Sequence, residues 1–281
     1  MSTENALLTI LAEKIKNDSL VLPTLPEVAI RVREAADDPD VNLHQMADVI
    51  SHDPALSARM LKIANSAYMG RSVKVATLNQ AVTRIGLRQI KNIATALAME
   101  QLFVSKNDTV KAALDKVWGL TVEVSSVAMA LLKHYISRNK HTSLNLDTIT
   151  LAAMVHNIGV LPILTEAERH PDVFANPAFL EGAISRLAGR VGGSIMRAWD
   201  FGPEFVTVAE RWNDKRYEPE SIAYIDFVRV AAIYADVMPV DGEKSEVYAS
   251  YVAKGVIPDV EYMESEEFIE QYTIAKSIFA D

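Results

Sequence analysis

Apolar residues recur at intervals of three and four positions along most of this chain, which places them on one face of an α-helix. The clearest instance is segment 78–85, and the same period restarts directly after Gly86 and continues to residue 98. We therefore expect Gly86 to end the first of two helices in the left-handed conformation. No segment sustains the alternation of apolar and polar residues that is typical of strands. The pattern predicts an all-α fold, a multi-helix bundle.

Two long helical patterns dominate the middle of the chain. Segment 109–135 is apolar on most sides, so we expect a central helix surrounded by other helices. Segment 146–155 predicts a second buried helix that ends at His156. Farther on, Gly192 and Gly193 are expected to break the helical pattern into two short helices.

The chain divides into parts at a polar stretch, residues 105–108, which separates two runs of helical pattern. The N-terminal part is predicted to pack as a subdomain on the core that follows, and a helical extension completes the chain. The three predicted parts are residues 1–107, 108–240 and 241–281.

Charge is unevenly distributed in this acidic chain. The net charge is −9, yet segment 54–99 contains no Asp or Glu and carries +7, so the remainder carries −16. A basic segment in an acidic protein is a candidate contact surface. The alternative is that these side chains face acidic neighbours within the fold. The candidate contact residues are Arg59, Lys62, Arg84, Arg88 and Lys91, and the segment also contains Arg71 and Lys74.

Composition excludes several kinds of site. With 49% hydrophobic residues and 23% charged residues the chain can bury a substantial core, and the absence of cysteine excludes disulfides and thiolate chemistry. The N-terminus does not resemble a signal peptide, and no uninterrupted apolar run approaches the length of a membrane span. These features predict a cytoplasmic protein without a membrane partner.

The two helices of segment 78–104, joined at Gly86, resemble a helix-turn-helix at low resolution. Gln89 and Asn92 are the only obvious base-reading candidates on the second helix. Tight helix corners are common in all-α proteins, so nucleic-acid binding through this segment is only a minor alternative.

Two adjacent pairs deserve comparison as metal ligands. His52-Asp53 precedes a proline-started helix, where Asp53 is expected to cap the helix and not to bind metal. His156-Asn157 lies at a helix end, where a His-Asp pair could share an ion, but a neutral amide brings no charge to hold a divalent cation. His156 alone is a weak candidate for a general base. The simpler interpretation is that it caps its own helix, where the helix dipole favours a cation.

The segments LPTLPEVAIRVREAADDPDVNLHQMADVISHDPALSARMLKIANSA and LNQAVTRIGLRQIKNIATALAM closely resemble the HDOD domain, a bacterial signalling relative of the HD metal-dependent phosphohydrolases. The paired prolines, the DPALSARMLKIANSA helix and the Ala-Val-x-x-Ile-Gly corner are the specific matches. The similarity covers about residues 18–240 and implies an all-helical bundle.

The resemblance also implies where a catalytic HD site would lie. The first His would fall at about Leu120, after Trp118, the His-Asp pair corresponds to His156-Asn157, and the late Asp falls near Ala232. One ligand of four remains, so the site is degenerate and no metal or other cofactor is expected. A metal-dependent phosphohydrolase with other ligands stays open as the alternative, and its candidate ligands are Asp226 or Asp236 together with His134, His156 and Glu210.

The sequence therefore predicts a non-catalytic, HDOD-like signal-transduction module that binds a protein or a small ligand. Its signalling partner would be a separate protein, and a homo-oligomer is compatible with the sequence. A divalent metal is expected only under the phosphohydrolase alternative.

Overall fold

The computed structural model describes residues 3–17, 19–69, 73–170 and 177–279, and every regular element in these ranges is helical. Side chains are described from residue 8 onward, except those of Pro177 and Phe179. Arg71 lies outside the described residues. The helices before the central one are α1 Thr3–Lys16, α2 Glu27–Asp37, α3 Leu43–Ser51, α4 Pro54–Asn65, α5 Leu78–Ile85 and α6 Leu87–Ala98. The remaining helices are α7 Asp108–Arg138, α8 Leu146–Val155, α9 Val160–Ala167, α10 Pro177–Ala198, α11 Pro203–Arg211, α12 Tyr224–Tyr234, α13 Lys244–Lys254 and α14 Glu266–Ser277.

Helix α7 is the centre of the bundle and packs against α8, α12 and α14. Its second half, residues 124–132, is buried on all sides. The expectation of a surrounded helix is wrong for its first half, where Lys111, Asp115 and Gly119 are exposed. The first half lies along the edge of the bundle, so only one of its faces is covered.

The glycines at the predicted helix break lie inside one continuous helix, α10. The prediction of a break at Gly192 and Gly193 is therefore wrong. A Cβ at Gly192 would lie 2.9 Å from the carbonyl oxygen of Ala209, and a Cβ at Gly189 would lie 2.6 Å from that of Glu210. These glycines let the backbones of α10 and α11 approach each other, and this packing outweighs the low helix propensity of glycine.

Gly86 separates α5 from α6 as expected, but in a different conformation. Its φ is +87° and its ψ is 147°, so it lies outside the left-handed helical region. This extended, positive-φ region is almost restricted to glycine. The conformation turns the chain sharply enough that α6 begins at the next residue.

Asp53 starts α4 as the sequence predicts. Its Oδ1 accepts a hydrogen bond from the Leu56 amide at 2.9 Å, and Pro54 occupies the first helical position. His52 Nδ1 lies 2.8 Å from the Asp48 carbonyl oxygen. The structural interpretation of this pair is confirmed.

Contacts cross the proposed boundary between the N-terminal part and the core. Helix α6 packs against α8, and α1 packs against α10. Lys14 Nζ lies 2.7 Å from Glu166 Oε1, and the Trp199 indole donates to the Pro23 carbonyl at 3.0 Å. The buried residues form one continuous apolar core, and the division into three parts stays a prediction.

One run in the described part of the chain, Leu146–Ala167, is long and apolar enough to cross a membrane by composition alone. It comprises α8, a turn and α9, and 89% of its most apolar window is buried inside the bundle. Its apolar character is that of a core element.

Candidate functional site

The turn that carries His156 and Asn157 is fixed from both sides. Asn145 Oδ1 accepts from the Thr148 amide at 2.9 Å to start α8, and this helix is buried from Asp147 to its end. Residues 156–159 then turn the chain into α9. A Cβ at Gly159 would lie only 1.9 Å from the Ala188 carbonyl oxygen, so the turn is pressed against α10.

His156 is enclosed by the protein, with a 1% exposed surface. Its Nδ1 lies 2.6 Å from the Ala153 carbonyl oxygen, which assigns the proton to Nδ1 when the ring is neutral. The ring meets Trp212 edge to face, with centroids 5.0 Å apart. Its Nε2 is buried and has no hydrogen-bond partner within the described ranges. A general base would need this nitrogen to reach a substrate, and the enclosure blocks such access.

Burial determines the charge of His156. Desolvation lowers the pKa of the imidazole to about 4, although the Ala153 carbonyl favours the cation. The prediction that His156 caps its own helix is confirmed by the hydrogen bond. The expectation that it does so as a cation is wrong at neutral pH, because the cost of burying the charge exceeds the stabilisation by the helix dipole.

Acidification should destabilise the fold through His156. The pKa is about 4 in the fold and 6.5 ordinarily, so the unfolded chain binds the proton first as pH falls. The stability that comes from a neutral His156 is complete above pH 6.5 and is lost toward pH 4, a loss of about 3 kcal/mol. Urea unfolding of the wild type and of His156→Gln at several pH values measures this. The variant should show a pH slope smaller by up to one proton, and equal slopes would contradict the assignment.

Asn157 is half-buried, and its Oδ1 is buried without a hydrogen-bond partner in the part of the chain that is described. A carboxylate at this position would bury a negative charge beside the neutral His156. The amide avoids that cost while supplying no charge to a cation.

Trp212, which closes over His156, is held from its backbone by Arg229. Trp212 is 5% exposed and Arg229 is 2% exposed. The Arg229 guanidinium donates to four carbonyl oxygens at 2.5 to 3.1 Å, those of Arg211, Trp212, Asp214 and Tyr217. Neither residue was predicted from the sequence to belong to the site. The one available signal was an arginine inside the strongly apolar segment that forms α12.

The candidate ligands of the phosphohydrolase alternative have other partners. Asp226 accepts from the Ala223 amide at 2.9 Å and from Lys254 Nζ at 2.7 Å, at the start of α12. Asp236 lies 2.8 Å from Lys244 Nζ.

The two remaining candidates are likewise engaged. His134 Nδ1 lies 2.8 Å from Glu267 Oε1, and Glu210 accepts from Arg197 at 3.2 Å. Within the described ranges, no three His, Asp or Glu side chains are grouped so that they could hold a metal.

The two positions that the resemblance assigns to lost ligands carry no donor side chain. Leu120 is half-buried on α7, and Ala232 is fully buried on α12. The Ala232 carbonyl accepts from the Val237 and Met238 amides, which ends α12. The correspondence of Leu120, His156, Asn157 and Ala232 with a ligand set stays a prediction.

Several basic residues of the candidate contact surface are used inside the fold. Arg59 pairs with Glu100 and donates to the Leu97 carbonyl, and Lys91 Nζ lies 2.7 Å from Asp37.

The other three differ in their surroundings. Arg84 donates to the Ala64 carbonyl at 3.0 Å and so caps the end of α4. Lys62 is half-buried on α4, and Arg88 is exposed at the start of α6. A partner surface that includes all five residues stays a prediction.

Helix α6 has little free surface for a DNA groove. It lies between α2 and α8, and it is buried from Ile93 to Ala98. Asn92 donates to Asp147 at 2.9 Å, and only Arg88 and Gln89 are exposed on its first turn. This geometry disfavours the helix-turn-helix alternative, because a recognition helix must present a face to the bases.

Comparisons with known proteins agree with the helical architecture. A Shewanella amazonensis SB2B protein, provisionally described as a metal-dependent phosphohydrolase, is 43% identical, with a TM-score of 0.95 over all of both chains. An HDOD domain protein of unknown function from Geobacter sulfurreducens superposes with a TM-score of 0.67 at 19% identity over 99% of each chain. An uncharacterized protein from Treponema pallidum is 26% identical over 192 residues, which are 68% of this chain and 35% of that protein.

The sequence pattern of the HDOD domain family matches residues 22–214, a shorter stretch than the resemblance to residues 18–240 implied. The match covers more than half of the 281 residues. The all-α prediction and the family resemblance are both confirmed. This chain belongs to the HDOD domain family.

Proposed function

We propose that this protein is a non-catalytic signal-transduction module that acts by binding a protein or a small ligand. The observation that carries the proposal is the state of His156, the one candidate ligand of the HD type that the sequence retains. Its Nδ1 is engaged by Ala153, and its Nε2 is enclosed beside Trp212.

The donor set does not fit a divalent metal. Hydrolysis of a phosphate ester by the HD chemistry needs an ion that activates water and neutralises the phosphoryl oxygens. Asn157 offers a neutral amide, and Leu120 and Ala232 offer no donor side chain. A single imidazole closed off by an indole ring cannot replace a set of His and carboxylate ligands. We therefore derive no hydrolytic step for this chain.

The proposed partner is a separate signalling protein. Arg88, an exposed residue of the basic segment, is a candidate contact for an acidic surface on that partner. We also propose a cytoplasmic location, and we do not propose nucleic acid as a binding partner.

The description of the Shewanella relative favours a second candidate, a metal-dependent phosphohydrolase. It would need His156 to turn out of its enclosure and to meet ligands that the structure holds apart. The two candidates differ in a measurable way, namely in metal content and in turnover.

Protein purified without chelator should contain no stoichiometric zinc, iron or manganese, and should not hydrolyse a phosphodiester in added manganese. Elemental analysis and a chromogenic phosphodiester assay measure these quantities. His156→Gln is the test variant, and His52→Gln, at the exposed histidine of the His52-Asp53 pair, is the matched control. Near-stoichiometric metal, with turnover that disappears in His156→Gln and persists in His52→Gln, would make this protein an enzyme.

A further inference from the structure

A cavity outside the site of His156 lies between α12, α13 and the loops that precede them. Its volume is about 410 Å³, within the range of small-molecule sites. We refer to it as the C-terminal cavity. Most of it is formed by residues 215–254, beyond the segment that matches the family.

The floor of the C-terminal cavity is mostly aliphatic, and its lining includes Ile233, Met238, Val240 and Val247 together with Tyr251. Ile233 is buried, and Met238 is 7% exposed. Such a floor accepts the apolar part of a ligand, because covering it removes apolar surface from water.

The rim of the cavity carries both signs of charge, and its two lysines form ion pairs. Lys215 Nζ lies 2.9 Å from Asp241 Oδ2, and both side chains are substantially exposed, at 47% and 95%. Lys254 Nζ lies 3.6 Å from Glu218 and 2.7 Å from the buried Asp226.

The accessible charges of the cavity are balanced. Lys215 and Lys254 are matched by Glu218 and Asp241, and the remaining charged lining residue, Arg229, is buried and donates to four backbone carbonyl oxygens. A ligand with a single charge that inserts between Lys215 and Asp241 would engage one of them and leave the other without a partner. A ligand with both charges can engage Lys215 with its anionic group and Asp241 with its cationic group. The exposed ion pair between Lys215 and Asp241 contributes little to stability, so a ligand that separates the two side chains loses little free energy.

From the aliphatic floor and the paired charges we infer that the C-terminal cavity binds a zwitterionic, amino-acid-like ligand with an apolar side chain. The inference extends the proposed binding function by naming a ligand class.

The cavity shares a loop and the Arg229 side chain with the site of His156. Lys215 belongs to the loop whose carbonyls bind Arg229, and Arg229 also lines the cavity. The same guanidinium holds Trp212 over His156. A ligand that engages Lys215 would therefore contact the same loop that Arg229 holds beside His156.

Calorimetric titration of the full chain with L-leucine tests the inference, since the branched side chain matches the aliphatic floor. Leucine should bind. N-acetyl-L-leucine lacks the ammonium group and isopentylamine lacks the carboxylate, so both should bind at least about tenfold more weakly. Equal affinities for the three compounds would overturn the assignment of a zwitterion.

Variants locate the binding. Lys215→Ala should weaken leucine binding by about tenfold or more, and Ser250→Trp, which places a large ring at an exposed rim position, should abolish it. Lys140→Ala removes an exposed lysine elsewhere and should leave the affinity unchanged. No saturation by leucine, methionine or phenylalanine, or an affinity that Lys215→Ala leaves unchanged, would overturn the inference. Either result would leave the non-catalytic function standing, which only the metal and turnover assays can overturn.

Discussion

Arg229→Lys should destabilise the protein by about 3 kcal/mol or more, although it keeps the positive charge. The guanidinium serves four carbonyl oxygens on the 211–217 segment, at the end of α11 and beyond it. An ammonium group has three donors on one nitrogen and cannot span these positions, so buried carbonyls lose their partners. Urea unfolding at neutral pH measures the loss.

Arg216→Lys is the matched control in the same segment. The Arg216 side chain is 92% exposed and donates to the Asp214 carboxylate. Its replacement should change the stability by less than about 0.5 kcal/mol. Tryptophan emission adds a second readout, because loss of Arg229 should expose the Trp212 indole and shift its share of the fluorescence of the three tryptophans to the red. Equal stability of the two variants would show that the 211–217 segment does not depend on Arg229.

Gly159→Ala should be comparably damaging for a steric reason. The added Cβ would lie 1.9 Å from the Ala188 carbonyl oxygen and 2.6 Å from the Gly192 amide nitrogen, both of them backbone atoms. Backbone cannot move aside as a flexible side chain can, so α10 must separate from the turn that carries His156. We expect a loss of about 3 kcal/mol or more in the free energy of unfolding.

Gly119→Ala is the opposite case and serves as the control. Gly119 lies within α7, and a Cβ there would meet nothing within 4 Å. Alanine should stabilise this helix by about 0.5–1 kcal/mol, because it restricts the unfolded chain and favours the helix. Thermal unfolding of the two variants should therefore shift in opposite directions. A stabilised or unchanged Gly159→Ala would contradict the close approach of α9 and α10.

The sequence was most informative where local chemistry decides the structure. Helix α8 begins and ends where the pattern predicts, because Asn145 caps it and its apolar residues continue to Val155. Asp53 caps α4 for the same local reason. In both cases the partners of the decisive side chain lie within a few residues of it.

The pattern was misleading where a distant helix decides the structure. Gly192 is typical of a helix break when its neighbours in sequence alone are considered, whereas the close approach of Ala209 makes it a packing position within α10. His156 was expected to carry a charge because of the helix it ends, yet the pKa of its buried imidazole is lowered. Trp212 and Arg229 became part of the site only through tertiary contacts, which no spacing in the sequence encodes.

The hydrogen bonds of Arg229 limit where the chain can be cut into a stable fragment. The family match ends at residue 214, but the carbonyls of Arg211, Trp212 and Asp214 depend on a side chain 15 residues or more farther along. A fragment excised at the end of the match would keep these acceptors and lose their donor, together with the helices α12 and α14 that cover α7. The stretch that matches the family is therefore shorter than the stretch that these contacts hold together.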